Sequence, residues 1–164
     1  MKNKERQAHQ LRFSEGSYSR PIRSTNIQKI VIVRKINIRQ WDILFLFSFD
    51  TYDMERVYDA LVWADAPDSI ISQVSENVMD GDRDEGFTFS NPSLRRTVFA
   101  ASKATNGPEM LDTIVHEIIH ICQHISLEDG IDPFSERFAY LGGDISRTVS
   151  DIVCVLSCPH CSGA

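Results

Sequence analysis

The stretch from Asn106 to Gly130, NGPEMLDTIVHEIIHICQHISLEDG, decides the fold. Asn106-Gly107-Pro108 opens a helix, with Pro108 suited to the first turn, where its missing N–H is not needed. Asp129-Gly130 breaks it, so the pattern predicts a helix from about Glu109 to Ser126. On a wheel of about 100° per residue with His116 at zero, Leu111, Ile114, Val115, Ile118, Cys122 and Ile125 fall between roughly 160° and 260°. They form one stripe predicted to face a core. His120 falls near 40°, Thr113 near 60°, His124 near 80° and Glu117 near 100°, so the histidines point away from that stripe.

His116-Glu117-Ile118-Ile119-His120 has the form H-E-x-x-H. Residues four apart stand one turn apart on the same helix face. Two imidazoles so placed can bind one Zn²⁺, and Glu117 can hold the water that the metal activates. Catalytic zinc takes three protein ligands and keeps a fourth position open. Glu136 is the expected third ligand. Fifteen residues separate it from His120, enough for a helix end, the turn at Asp129-Gly130 and the start of another helix. Asp132-Pro133 is predicted to start that helix, with Asp132 as N-cap and Pro133 at the first helical position, running to about Val149 or beyond. It would pack antiparallel on the first as an αα-hairpin, with Glu136, Tyr140, Gly143 and Arg147 on one stripe. Glycines at 142 and 143 would let the backbones approach closely. His124 is the rival donor, but three histidines on one straight helix spread over about 12 Å of rise, too far for one ion. Cys122, on the core stripe, is expected to be a small buried hydrophobe.

The segments before this helix read as a sheet and two helices. Ile30-Val31-Ile32-Val33 is β-branched and continues through Ile36 and Ile38, which predicts a strand. Trp41 to Phe49 predicts a second strand, paired with the first through a turn around Asn37 to Gln40. It is apolar on both faces and so belongs inside the sheet, since an exposed edge of that kind would aggregate. From Asp53 the period becomes helical, with Met54, Val57, Tyr58, Leu61 and Val62 recurring at three and four residues. A shorter helix is expected over Ser69 to Met79, ending at the turn Asp80-Gly81-Asp82. Phe87 to Phe89 and Thr97 to Ala100 are predicted as short strands around the Asn91-Pro92 turn.

The composition fits an ordinary globular domain of 164 residues, 42 % apolar and 24 % charged, with 17 Lys+Arg against 23 Asp+Glu. No apolar run is long enough for a membrane span, and none follows Met1 to Gln10 as a secretory signal would require. Four clustered Cys do not make a disulfide framework, so a reducing, cytoplasmic setting is expected. The charge is uneven. Residues 1–40 hold ten Lys/Arg and two acids, and residues 41–164 hold seven and 21. The expected organisation is a basic, flexible arm over 1–28, a domain over 29–150 and a Cys-rich tail over 151–164. A basic arm on an acidic body could touch nucleic acid or an acidic partner, but the acidic body would repel phosphates, and the reading that weighs more is a solvated tail lying against its own acidic body. In the tail, Cys158-Pro159-His160-Cys161 resembles one zinc-ribbon knuckle, to which Cys154 could add a ligand. Structural zinc needs four, so the alternatives are completion by a second copy or a pair of tail thiols without a metal.

His116 to His120, followed at short range by Glu136-Arg137-Phe138-Ala139-Tyr140, resembles the gluzincin group of zinc metallopeptidases, most closely the abbreviated forms seen in phages and mobile elements. The resemblance covers about residues 108–150 by motif. It implies an α+β fold: a small, mainly antiparallel sheet packed on an active-site helix and a following glutamate helix, a minimal zincin-like core. It also implies a peptide or protein substrate and a Zn²⁺ held by His116, His120 and Glu136. Glu117 would then be the general base, and Tyr140 a donor to the oxyanion, while strand Thr97 to Ala101 would offer its edge to an extended substrate. Larger members of the group often carry an Asp one turn after the ligand Glu, where this chain has Tyr140. A non-catalytic, zinc-bearing interaction protein built on the same helix pair is the alternative.

Overall fold

A run of β-branched residues forms β1 (Ile32–Ile38), and β2 (Trp41–Phe49) follows it after a two-residue turn. Arg39 and Gln40 hold φ of 51° and 66°. Such a pair of left-handed residues matches a tight hairpin to the twist of its strands. Ile38 pairs with Trp41, which closes the hairpin. In this computed structural model the described residues are 31–49, 53–79, 86–104 and 106–157. The expected arm, the Asp80-Gly81-Asp82 turn and Cys158 and Cys161 lie outside them.

After β2 come α1 (Met54–Trp63), α2 (Asp68–Met79), β3 (Gly86–Asn91), a single 3₁₀ turn, β4 (Arg96–Ser102), α3 (Gly107–Asp129) and α4 (Glu136–Ser157). The strands form one sheet in the order β1-β2-β4-β3. The outer pairs are antiparallel, and β2 with β4 is parallel. The chain is therefore α+β, with a mixed four-stranded sheet. The interior position expected of β2 is observed.

Both faces of β2 are apolar because both are covered. Trp41, Ile43, Phe45 and Phe47 join Phe99 of β4 under α3 and α4. Leu44 and Leu46 join Val98 and Ala100 under α1 and α2. The first face carries the larger side chains: the rings of Phe45 and Phe47 each lie 5.0 to 5.2 Å from that of Phe99. Burying each such side chain contributes about 1.5–3 kcal/mol. The helix layer of α1 and α2 on the second face is an addition to the sheet-on-helix-pair arrangement expected from the sequence.

Two expectations are corrected. Strand β4, which holds Thr97 to Ala101, has both edges paired, to β2 and to β3. It cannot offer an edge to a substrate, and the strand at that side of the sheet is β3. The helix expected from Pro133 starts later. Asp132 accepts a hydrogen bond from the Phe134 N–H at 2.9 Å, and the Ser135 hydroxyl donates to the Asp132 carbonyl at 2.6 Å. These bonds close a separate turn. Ser135 then caps α4, its hydroxyl accepting from the Phe138 N–H at 3.4 Å. At the other end α4 runs to Ser157, so Cys154 sits on the helix. Among the described residues no helix is long and apolar enough to cross a membrane.

Candidate functional site

Asn106 starts α3 by accepting a hydrogen bond from the Glu109 N–H at 3.0 Å, and Gly130 ends it at φ 62°. The buried face of α3 is Met110, Thr113, Ile114, Glu117, Ile118, Ile121, Cys122, Ile125 and Ser126. The expected stripe is thus rotated. Ile114, Ile118, Cys122 and Ile125 are buried as predicted, but Leu111 and Val115 are each 49 % exposed. Polar Thr113 and Glu117 take the space against the sheet instead.

The reason lies in β3. Along this strand Phe87 and Phe89 pack toward α1 and α2. The alternate residues, Gly86, Thr88 and Ser90, meet α3. A Cβ on Gly86 would lie 2.8 Å from Thr113 Cγ2 and 3.2 Å from Glu117 Cγ, so only glycine lets the helix approach this closely. The Thr88 hydroxyl donates to the Glu117 carbonyl at 3.3 Å. Ser90 Oγ lies 2.9 Å from His124 Nδ1 and 2.8 Å from Thr97 Oγ1, a polar chain from β4 through β3 to α3. Sequence reading did not single out these three residues. The small-or-polar alternation with Phe87 and Phe89 was the signal that could have found them.

The structure brings His116 and His120 together. Their Nε2 atoms are 3.0 Å apart, and their rings meet edge to face with centroids 4.7 Å apart. The 3.0 Å contact is a ring-to-ring hydrogen bond; two nitrogens at the usual ~2.05 Å from a tetrahedral ion would stand slightly further apart, at about 3.3 Å. Glu117, between them in sequence, is only 6 % exposed, and its Oε2 has no hydrogen-bond partner. A buried carboxylate oxygen in that state is costly unless a ligand engages it. His124 lies beyond, its ring 6.3 Å from that of His120. Burial, and then the charge of His120, hold its pKa below the usual histidine range.

The third donor is not assembled. Helix α4 buries Leu141, Ile145, Val149 and Ile152. Glu136 lies on the opposite side and is exposed, and so does Tyr140, at 68 % exposure. Among the described residues no group of three His, Cys, Asp or Glu side chains comes together to hold a metal ion. Where α3 and α4 do meet, Gly142 faces Cys122, whose Sγ would lie 3.6 Å from a Cβ added there. Burial pushes the Cys122 thiol up to about 11, so it stays protonated as a small apolar group.

No protein-family model, curated protein or solved structure matches this chain.

Proposed function

We propose that this chain is a small zinc-dependent peptidase of gluzincin type. One observation supports it above the rest: two imidazole nitrogens stand 3.0 Å apart on the same helix as Glu117, whose buried carboxylate oxygen has no partner. A metal site needs convergent donors, and hydrolysis needs a proton acceptor held next to it.

In this reading His116 and His120 hold the ion through Nε2, and Glu136 completes the set from the first turn of α4. A bound zinc would polarise the substrate carbonyl and acidify the attacking water. Glu117 accepts the proton of that water and passes it to the leaving amine. Its position one residue after His116 lets it act without being a ligand. Tyr140 donates to the oxyanion. The outer edge of β3 aligns an extended peptide by main-chain hydrogen bonds, because it is the sheet edge packed beside α3. The protein works in a reducing compartment, where Cys122 and Cys154 remain thiols.

Glu136 and Tyr140 serve in these roles only if the first turns of α4 re-seat toward α3. Their position on the outer side of α4 favours a second reading, a non-catalytic metal-bearing interaction protein using the same histidines. A peptide-library digest by zinc-loaded protein separates the two. Cleavage that disappears in Glu117→Gln supports the peptidase. Zinc binding with no cleavage by either protein supports the interaction protein.

A further inference from the structure

Thr97, Ser90 and His124 form a polar chain that the proposed mechanism does not use. Thr97 is fully buried in β4, at 0 % exposure. Among the described residues its hydroxyl has one hydrogen-bond partner, Ser90 Oγ at 2.8 Å. Ser90 Oγ in turn lies 2.9 Å from His124 Nδ1. Proton accounting sets the direction of both bonds. The Thr97 proton is out of reach of water, and leaving a buried donor unsatisfied is costly. It therefore goes to Ser90 Oγ. Ser90 then has its own proton to place, and among the described residues His124 Nδ1 is the acceptor left to it. If Nδ1 donated instead, one of the two hydroxyl protons would have no acceptor in the protein. Nδ1 thus accepts, and a neutral imidazole that accepts at one nitrogen carries its proton on the other.

We propose that Thr97 and Ser90 are positioning residues that hold His124 as its Nε2–H tautomer, and that this N–H is a donor to the oxyanion formed from the peptide bond under attack. The donor role rests on the peptidase reading. Nδ1 is turned to Ser90 of β3, so Nε2 lies on the other side of the ring. That ring stands one turn past His120, 6.3 Å away and within 28° of parallel. A protonated Nε2 has no lone pair for a metal, which keeps His124 out of the ligand set that its spacing from His120 would otherwise suggest. It offers instead an N–H on the same helix as His116, Glu117 and His120. Unlike Tyr140, it requires no re-seating of α4. A donor fixed in advance stabilises developing negative charge without having to reorient during the reaction.

Two measurements on the full chain test this. Long-range proton–nitrogen NMR of the histidine rings, recorded without metal, reads the tautomer. His124 should show a protonated Nε2 and a bare Nδ1 that accepts a hydrogen bond. Ser90→Ala should move the Nδ1 resonance toward that of a free imidazole nitrogen, and Thr97→Val should move it the same way by less. A protonated Nδ1 in the parent chain, or a resonance that Ser90→Ala leaves in place, would overturn the relay. The second measurement takes kcat and KM of the zinc-loaded protein on a peptide that it cleaves. His124→Leu should lower kcat by the ~10²–10³-fold typical of a lost oxyanion donor, with zinc content and KM little changed. His124→Gln, which keeps an N–H donor, should recover part of that loss. Full activity in His124→Leu, or loss of its zinc, would overturn the donor role while the peptidase reading stands. A parent chain that cleaves nothing removes the peptidase reading and the donor role together, and the NMR pattern still decides the relay.

Discussion

Helices α3 and α4 are nearly equal in length, 23 and 22 residues, and pack over the same face of the sheet, yet they handle polar residues in opposite ways. Helix α3 buries Thr113, Glu117 and Ser126 among its apolar residues, pressed against a strand of small and polar side chains. Helix α4 buries only apolar side chains and leaves Glu136, Tyr140 and Arg147 outside. The difference shows where chemistry can be built cheaply. Groups at i and i+4 on one helix converge by helix geometry alone. Groups on two helices converge only if the roll of each helix allows it, and roll is fixed by the apolar stripe. On α4 that stripe is Leu141, Ile145, Val149 and Ile152, which turns Glu136 away.

The comparison breaks most sharply through the metal. His116→Ala should weaken zinc binding by more than the ~10–100-fold typical of losing an outer hydrogen-bonding partner of a ligand. His124→Ala should stay within that range. A chelator-competition titration gives the order, and Glu136→Ala joins the larger class only if α4 re-seats. A result in which Glu136→Ala has no effect would leave the site on α3 alone.

The two helices should also answer differently to a single methyl group. In Gly86→Ala the new Cβ would lie 2.8 Å from Thr113 Cγ2 of α3 and 2.9 Å from the Ala100 carbonyl oxygen of β4, so β3 must shift against both neighbours. Overpacking of that kind destabilises by about 1–3 kcal/mol, readable by urea denaturation. Gly143 on α4 faces open space. Gly143→Ala should stabilise by up to about 1 kcal/mol, because alanine is the better helix former. A loss of stability there would mean that α4 packs against something on its outer face.

The smallest effect belongs to the clasp between β1 and α4. Arg34 holds Asp151 through both guanidinium nitrogens at 2.6 and 2.8 Å. That hydrogen bonding keeps the Asp151 carboxyl below its ordinary value despite an opposing contribution from burial. A depressed carboxylate stabilises above its unfolded pKa near 4, and the contribution is lost as pH falls through the lower folded value. The Asp151 side chain is 66 % exposed, so the pair is screened and worth at most about 1 kcal/mol. Asp151→Asn should flatten the acid limb of a stability–pH curve by that small amount, and high salt should do the same to the parent chain.

Much of the fold was legible in the residues, and the limits have physical reasons. The two-sided apolar strand Trp41–Phe49 could only be interior, and the Asn106 and Gly130 signals bracket α3 closely. The parallel pairing of β2 with β4 was not legible, because the crossover through α1, α2 and β3 leaves no mark in either strand. The tilt of the α3 core stripe was missed because apolarity alone was counted, whereas Thr113 and Glu117 are buried against Gly86 and Thr88. The histidine pair was legible because one helix fixes it. The orientation of Glu136 was legible too, since Leu141, Ile145, Val149 and Ile152 set the roll of α4, but the spacing from His120 was weighed and that stripe was not.

The most direct measurement pairs zinc content with cleavage of a peptide library by the parent chain and by Glu117→Gln. If His116 and His120 hold the ion and Glu117 accepts the proton, both proteins should bind about one zinc per chain at the helix site, and the variant's rate should fall by ~10²–10⁴-fold. Equal cleavage by the two proteins, or a folded parent chain that binds no zinc through His116 and His120, would contradict it.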